Sequence, residues 1–124
     1  MDEIYGKPVV LTEFGTGHPP IENGVLREDK QAATHKSLWR DIAGHAAGKD
    51  APGNSIGGFV FVWLDDWWQS GNPTAHDMAK DGWSFEWNGI AGQGDGSKSP
   101  FLRELRKVYY TYQELWKEKV YNDE

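Results

Sequence analysis

The segment that decides the fold of this chain reads Lys7-Pro8-Val9-Val10-Leu11-Thr12-Glu13-Phe14-Gly15. Residues 9–12 form a short apolar and β-branched run, and Pro8 and Gly15 bound it. Such a run between turn-forming residues is typical of a strand buried on both faces, as in a parallel sheet. The run ends on Glu13, and a carboxylate there costs solvation free energy unless it faces a cleft. The segment therefore predicts a buried strand with an acidic group at its carboxyl end.

A helix and a second buried strand are expected further along the chain. Residues 28–47 carry apolar side chains at near-helical spacing, which predicts an amphipathic helix. Residues 55–64, Ser-Ile-Gly-Gly-Phe-Val-Phe-Val-Trp-Leu, resemble the first strand in character. The order strand, helix, strand predicts a βαβ unit with two parallel strands. A last helix is expected to begin at Ser99 and Pro100, which suit the N-cap and first positions, and to end near Lys119.

Residues 65–99 form a long irregular stretch that is rich in Gly, Asp and Asn. A stretch of this length is usually functional or disordered, and disordered segments are poor in aromatic residues. This one holds four of the seven Trp residues, which are Trp67, Trp68, Trp83 and Trp87. One interpretation is a Trp-rich core, and the other is a sugar site in which flat indole faces stack on pyranose rings. The positions near strand ends and loops favour the sugar site.

Composition excludes several classes of function. The net charge of −6 and the lack of a basic cluster argue against a nucleic-acid partner. The absence of Cys excludes disulfides and thiolate metal sites, and His76 with Asp77 offers too few ligands for a metal. We therefore expect no metal or cofactor. No apolar stretch approaches the ~20 residues of a membrane span. The acidic start at residues 1–3 lacks the apolar run of a signal peptide, which leaves the compartment open, including an extracytoplasmic one.

Three motifs, in this order, resemble the C-terminal part of clan-A retaining glycoside hydrolases. Residues 8–15 are similar to the seventh strand of these (β/α)8 barrels, in which the terminal Glu is the nucleophile. Residues 57–63, Gly-Gly-Phe-Val-Phe-Val-Trp, are similar to strand eight, which often ends in a Trp at the −1 sugar. Asp65-Asp66-Trp67-Trp68, followed by Glu86-Trp87-Asn88-Gly89-Ile90, looks like the tail of such barrel domains.

The resemblance implies an α/β fold that forms the last two βα units of a (β/α)8 TIM barrel. Residues 1–124 would then be the C-terminal fragment of a glycoside hydrolase catalytic domain. Two strands and two helices cannot close a barrel, so we expect completion by a missing chain portion or by self-association. The expected substrate is an oligo- or polysaccharide, cleaved with retention of configuration.

Glu13 is the nucleophile that the resemblance implies. In the clan, the acid/base is the Glu of an Asn-Glu pair on strand four, and this chain has neither that dipeptide nor that region. Retaining enzymes need both carboxyl groups. We therefore expect the chain alone to be inactive. The alternatives for Glu13 are a salt bridge at the rim of a sheet and a site retained in an inactive relative.

Six residues near the two strand ends are candidates for carbohydrate binding: Trp63, Asp65, Asp66, Trp67, Trp68 and His18. The alternative for Trp63 is a core position at the barrel mouth. Asp65 and Asp66 would bind sugar hydroxyls or brace the loop. Trp67 and Trp68 are expected to divide, one packing inward and one lining the cleft.

Residues outside this set are expected to be structural. His35 and His45 fall on the solvated or packed surface of the predicted helix, and Glu86 is more consistent with a structural role than with catalysis. Two other functions stay open: a non-catalytic carbohydrate-binding or scaffold protein derived from the barrel, and a helix-rich interaction domain unrelated to sugars. Binding of an oligosaccharide would distinguish the hydrolase and the carbohydrate-binding protein from the interaction domain.

Overall fold

The computed structural model describes residues 6–15, 21–48, 53–66, 69, 85–93 and 103–118. In chain order these ranges contain β1 (Val9–Phe14), β2 (Ile21–Glu22), β3 (Val25–Leu26), α1 (Glu28–Gly44), β4 (Ser55–Val60), a 3-10 turn (Phe85–Trp87), β5 (Ala91–Gly92), β6 (Glu104–Leu105) and α2 (Lys107–Lys117). No described helix is both long and apolar enough to cross a membrane.

Strands β1 and β4 form a parallel pair connected through helix α1. Leu11 lies opposite Gly58 and Phe14 opposite Val60, with two shifts in register along the pair. The predicted βαβ unit is therefore confirmed, and the fold is mixed α/β. Within the described ranges no third strand joins this sheet, so the barrel itself stays a prediction.

Both helices pack against one face of this sheet. Leu11 and Phe14 of β1 and Val60 of β4 contact the buried core. Its helical members are Ala32 and Ile42 of α1 and Val108, Tyr112 and Leu115 of α2.

Helices α1 and α2 run side by side in the same direction. At their starts, the Glu28 carboxylate accepts a 2.8 Å hydrogen bond from the Lys107 backbone N–H. At their ends, Arg40 lies 3.3 Å from the Glu118 carboxylate. A parallel arrangement of this kind is expected where successive crossover helices cover the same sheet.

Apolar side chains of both strands are exposed within the described ranges, so burial on both faces stays a prediction for the complete barrel. Phe59 of β4 is 67% exposed and Ile56 is 63% exposed, while Val10 of β1 is also exposed. An apolar run indicates a surface that must be buried, but the residues that bury it belong to other elements. Among the described residues, helices pack on only one face of this strand pair. We call Val10, Glu13 and Phe59 the outward face, because all three are exposed while the next residues, Leu11, Phe14 and Val60, contact the core. A register shift between Leu11 and Phe14 interrupts the regular alternation of side chains along β1.

The last helix begins later than its sequence pattern predicts. Glu104–Leu105 is extended and pairs antiparallel with Ala91–Gly92, and α2 starts only at Lys107. Ser99 and Pro100, the expected start, and Lys119, the expected end, lie outside the described residues. The strand pairing explains the difference, because residues that bond to a neighbouring strand are not available for helical hydrogen bonds.

Candidate functional site

Glu13 lies at the carboxyl end of β1, with an exposed side chain on the outward face. The next residue, Phe14, is buried in the core, and its carbonyl accepts a 2.7 Å hydrogen bond from the Phe61 N–H. The backbone around Glu13 is therefore held on the core side while the carboxylate faces outward. An exposed carboxylate on a fixed strand end can act as a nucleophile or as a hydrogen-bond acceptor.

A buried histidine packs against the end of β1, on the side of the helices. His35 of α1 is fully buried, and its Nδ1 lies 2.9 Å from the Tyr112 hydroxyl of α2. Gly15 lies directly over the imidazole: a Cβ there would come 2.4 Å from His35 Cε1. The φ of Gly15 is +125°, a conformation that glycine adopts readily. His35 thus takes the packed side of the helix, whereas His45 is exposed.

Trp63 follows β4 by three residues and lies at the same end of the sheet as Glu13, because β1 and β4 are parallel. The side chain is 53% exposed, and its ring centroid lies 6.1 Å from that of Tyr109 in an edge arrangement. The Trp63 carbonyl accepts a 2.9 Å hydrogen bond from the Ala91 N–H. The indole is therefore held along one edge and open to solvent elsewhere.

Asp65, two residues beyond Trp63, forms a buried ion pair with Arg106. Its Oδ1 and Oδ2 accept hydrogen bonds of 2.6 and 2.5 Å from Arg106 Nη1 and Nη2. Nη1 also donates to the carbonyls of Trp87 and Gly89, at 2.9 and 2.8 Å. Burial raises the pKa of Asp65, while the Arg106 guanidinium and the Gly89 N–H act in the opposite direction. These contacts match the alternative in which Asp65 braces the loop.

The segment after the 3-10 turn closes over this ion pair. The Gly89 N–H donates to Asp65 Oδ1 at 2.9 Å, and a Cβ on Gly89 would lie 2.5 Å from the Asp65 nitrogen. Gln31 of α1 donates from Nε2 to the carbonyls of Asn88 and Gly89, at 3.1 and 3.0 Å. Glycine at position 89 is therefore required by the close approach. We call Asp65, Gly89 and Arg106, with the contacts that enclose them, the Arg106 centre.

Of the four remaining candidates from the sequence, only Asp66 lies among the described residues. Asp66 is half-buried, and its Oδ2 accepts a 2.9 Å hydrogen bond from the Gln69 side chain. Trp67, Trp68 and His18 lie outside the described residues. Glu86, which we expected to be structural, is fully buried in the 3-10 turn.

Sequence reasoning missed Arg106 and Gln31 as parts of this site. Arg106 sits within a Leu-Arg-Lys run that has the pattern of a solvated helix face. Its partner Asp65 is 41 positions away in sequence, and Gln31 bonds to a carbonyl 58 positions away. The one available signal was compositional: an Asp after an apolar strand needs a partner when it is buried.

Among the described residues, no group of three His, Cys, Asp or Glu side chains is arranged to hold a metal ion. The described residues bring a carboxylate, Glu13, and an aromatic surface, Trp63, to one end of a parallel strand pair. Comparisons with protein-family models, curated proteins and solved structures find no match to this chain.

Proposed function

We propose that this chain is the C-terminal part of a retaining glycoside hydrolase that acts on an oligo- or polysaccharide. Glu13 is its nucleophile and Trp63 its sugar platform. The observation that supports the proposal is the parallel pairing of β1 and β4, since Glu13 and Trp63 stand at the carboxyl ends of neighbouring strands. Both side chains are exposed at this end of the pair, so an oligosaccharide bound along that end would reach both.

The chemistry requires a second carboxyl group. Glu13 attacks the anomeric carbon as the acid/base protonates the leaving oxygen, which gives a covalent glycosyl-enzyme. The acid/base then removes a proton from water, which attacks the same carbon and releases Glu13. The two carboxyl groups of a retaining enzyme lie about 5–5.5 Å apart. We propose that the acid/base comes from a portion of the barrel that this chain does not contain.

The rest of the barrel is the proposed partner. Parallel sheets normally have both faces covered, and open strand edges attract further strands. Phe59 and Val10 are exposed on the outward face, and β1 and β4 pair with no third strand within the described ranges. Further parallel strands from the same protein would cover the edges and turn the outward face into a barrel interior.

A mechanism-based label tests the assignment of Glu13. The parent protein with a complete barrel is treated with an activated 2-deoxy-2-fluoro glycoside, which traps the glycosyl-enzyme. Mass spectrometry of the digest is expected to find the sugar on the peptide that contains Glu13. Glu104→Gln, a change at an exposed carboxylate on β6, is the matched control and should leave labelling intact. A label on another carboxylate, or inversion of configuration in the product, would overturn the proposal.

A second candidate function is a non-catalytic carbohydrate-binding protein derived from the same barrel. The observation that favours it is the open indole of Trp63 in a chain without an Asn-Glu pair. Such a protein would bind oligosaccharides through Trp63, would not turn them over, and would be indifferent to Glu13→Gln. Turnover and binding measured on the same complete protein distinguish the two functions.

A further inference from the structure

The strand end that carries Trp63 is held by a second segment of the chain. The Val62 carbonyl accepts a hydrogen bond from the Ile90 N–H, and the Trp63 carbonyl accepts one from the Ala91 N–H, each at 2.9 Å. Leu64 forms a parallel bridge with Ala91. The backbone of Trp63 is therefore fixed by residues 90–91 and not by β1, whose pairing with β4 ends at Val60.

Arg106 fixes that second segment. Its guanidinium binds the carbonyls of Trp87 and Gly89, and its backbone N–H donates to the Ile90 carbonyl at 3.2 Å. Asp65 accepts from both terminal nitrogens of the same guanidinium. The side chains of Arg106 and Asp65 are 4% and 0% exposed. The Arg106 side chain therefore binds two elements that flank Trp63. One is the segment whose backbone bonds the Trp63 carbonyl, and the other is Asp65, two positions beyond Trp63.

Arg106 is also connected to the Trp63 indole through Tyr109. It is the residue directly before α2, and Tyr109, whose ring meets the edge of Trp63, lies in the first turn of that helix. The Tyr109 N–H donates to the Arg106 carbonyl at 2.9 Å. The place where α2 begins, and hence the place of the Tyr109 ring, is therefore coupled to the same residue.

We propose that Arg106 is a positioning residue that sets the orientation of the Trp63 indole. The proposal rests on the proposed function in one respect, which is that the indole is the sugar platform. A planar guanidinium can bind a carboxylate and two carbonyls at once, whereas a lysine ammonium is a compact point charge without this fork. Lysine at this position keeps the charge but cannot keep the geometry.

The test compares Arg106→Lys with the wild-type 124-residue chain by ¹H–¹⁵N NMR. The Trp63 indole N–H is assigned from the signal that Trp63→Phe removes. We expect Arg106→Lys to shift or broaden this signal while the amide signals of α1 and β4 stay in place. Arg40→Lys is the matched control, because Arg40 makes an exposed ion pair with Glu118 at 3.3 Å; it should leave the indole signal unchanged.

A loss of stability alone must not be mistaken for this effect. Ile42→Val trims the buried core away from Trp63 and should lower the free energy of unfolding without moving the indole signal. If Arg106→Lys does not fold, Asp65→Asn replaces it, since an amide keeps the shape of the carboxylate and weakens the same ion pair. An unmoved indole signal in a folded variant of either kind would overturn the positioning role.

Titration with cellohexaose, laminarihexaose and mannohexaose separates this inference from the proposed function. Where the wild-type chain binds one of them, Arg106→Lys should weaken that affinity about tenfold, which is about 1.4 kcal/mol, and Ile42→Val should not. If no hexasaccharide binds but the indole signal still moves, the positioning role stands and the sugar platform fails. If a hexasaccharide binds wild type and folded Arg106→Lys with equal affinity although the indole signal has moved, the positioning role again stands and the sugar platform fails.

Discussion

The Arg106 centre and the outward face differ in how far the described residues satisfy them. In the Arg106 centre, a buried charge has its counter-charge, and the surrounding backbone supplies further hydrogen bonds. On the outward face, Phe59 and Val10 are exposed with no cover among the described residues. Buried ions must be paired within the folded unit, whereas apolar surface can be covered later by association. The Asp65–Arg106 ion pair is therefore complete within the described residues, while one face of the strand pair is open.

The largest effect is expected at Glu13, on the outward face. In the complete protein, Glu13→Gln should lower kcat by orders of magnitude while KM and the free energy of unfolding change little, because a covalent step is lost and not a binding contact. Steady-state kinetics and urea unfolding measure the two quantities. Glu104→Gln should leave both unchanged. A Glu13→Gln variant with nearly wild-type kcat would remove Glu13 from the mechanism.

The Arg106 centre should show the reverse behaviour, with a loss of stability. Arg106→Met leaves Asp65 as a buried and uncompensated charge, which costs about 3–5 kcal/mol. The double variant Arg106→Met/Asp65→Asn should cost less than either single change, since each single change leaves one buried charge without its counter-charge. Urea unfolding followed by far-UV circular dichroism measures the differences. Equal losses in all three variants would mean that the charge itself is not what the site compensates.

The outward face should control association. Phe59→Ser removes apolar surface that is already 67% exposed, so folding should be nearly unaffected. Self-association of the chain should weaken, by about tenfold or more. Val25→Ser, at an exposed position on the β2–β3 hairpin, is the matched control. Sedimentation equilibrium measures the association, and a wild-type chain that is monomeric at all concentrations would contradict the expectation.

The smallest effect is a loss of stability at alkaline pH, caused by Tyr112, which bonds His35 below the end of β1. Burial raises the pKa of Tyr112 above its ordinary value of 10.0. As pH rises past 10, the unfolded chain releases this proton and the folded chain keeps it, so the free energy of unfolding falls. Tyr112→Phe removes the group and should flatten this fall, at a cost of about 1 kcal/mol at neutral pH for the lost hydrogen bond to His35.

The control for this prediction is Tyr110→Phe, at an exposed position on the same helix. It should leave the alkaline loss of stability unchanged. Unfolding in urea at pH values between 7 and 12 measures each variant. An equal slope above pH 10 in Tyr112→Phe and in wild type would show that other groups cause the loss.

Local sequence pattern predicted the elements near β1 and β4 better than it predicted their surroundings. The apolar runs at residues 9–12 and 55–64 and the helical spacing between them gave the parallel pair correctly, because strand and helix periods are local properties. Burial on both faces is not seen among the described residues, because the cover of a sheet face depends on elements elsewhere. The start of α2 was wrong because the pairing of Glu104–Leu105 with Ala91–Gly92 is a contact between distant segments.

The candidate site shows the same limit. Glu13 and Trp63 were identified at strand ends from sequence, and the structure places them at one end of the parallel pair. Arg106 was not identified, because its role depends on a partner 41 positions away. Asp65 carried two interpretations in the sequence, and only its three-dimensional contacts distinguish a brace from a sugar ligand.

The contact between Glu28 and Lys107 has a consequence for how the two helices are held in register. Neither helix is capped by the side chain of its own N-cap residue, Arg27 or Arg106. Each helix start carries a partial positive charge of about half a unit from its aligned peptide dipoles. The Glu28 carboxylate lies in the first turn of α1 and bonds the first N–H of α2, so one anion neutralises two like-charged helix ends. Sliding either helix by one turn would break this bond and leave the start of α2, which has no acidic residue in its own first turn, without an anion.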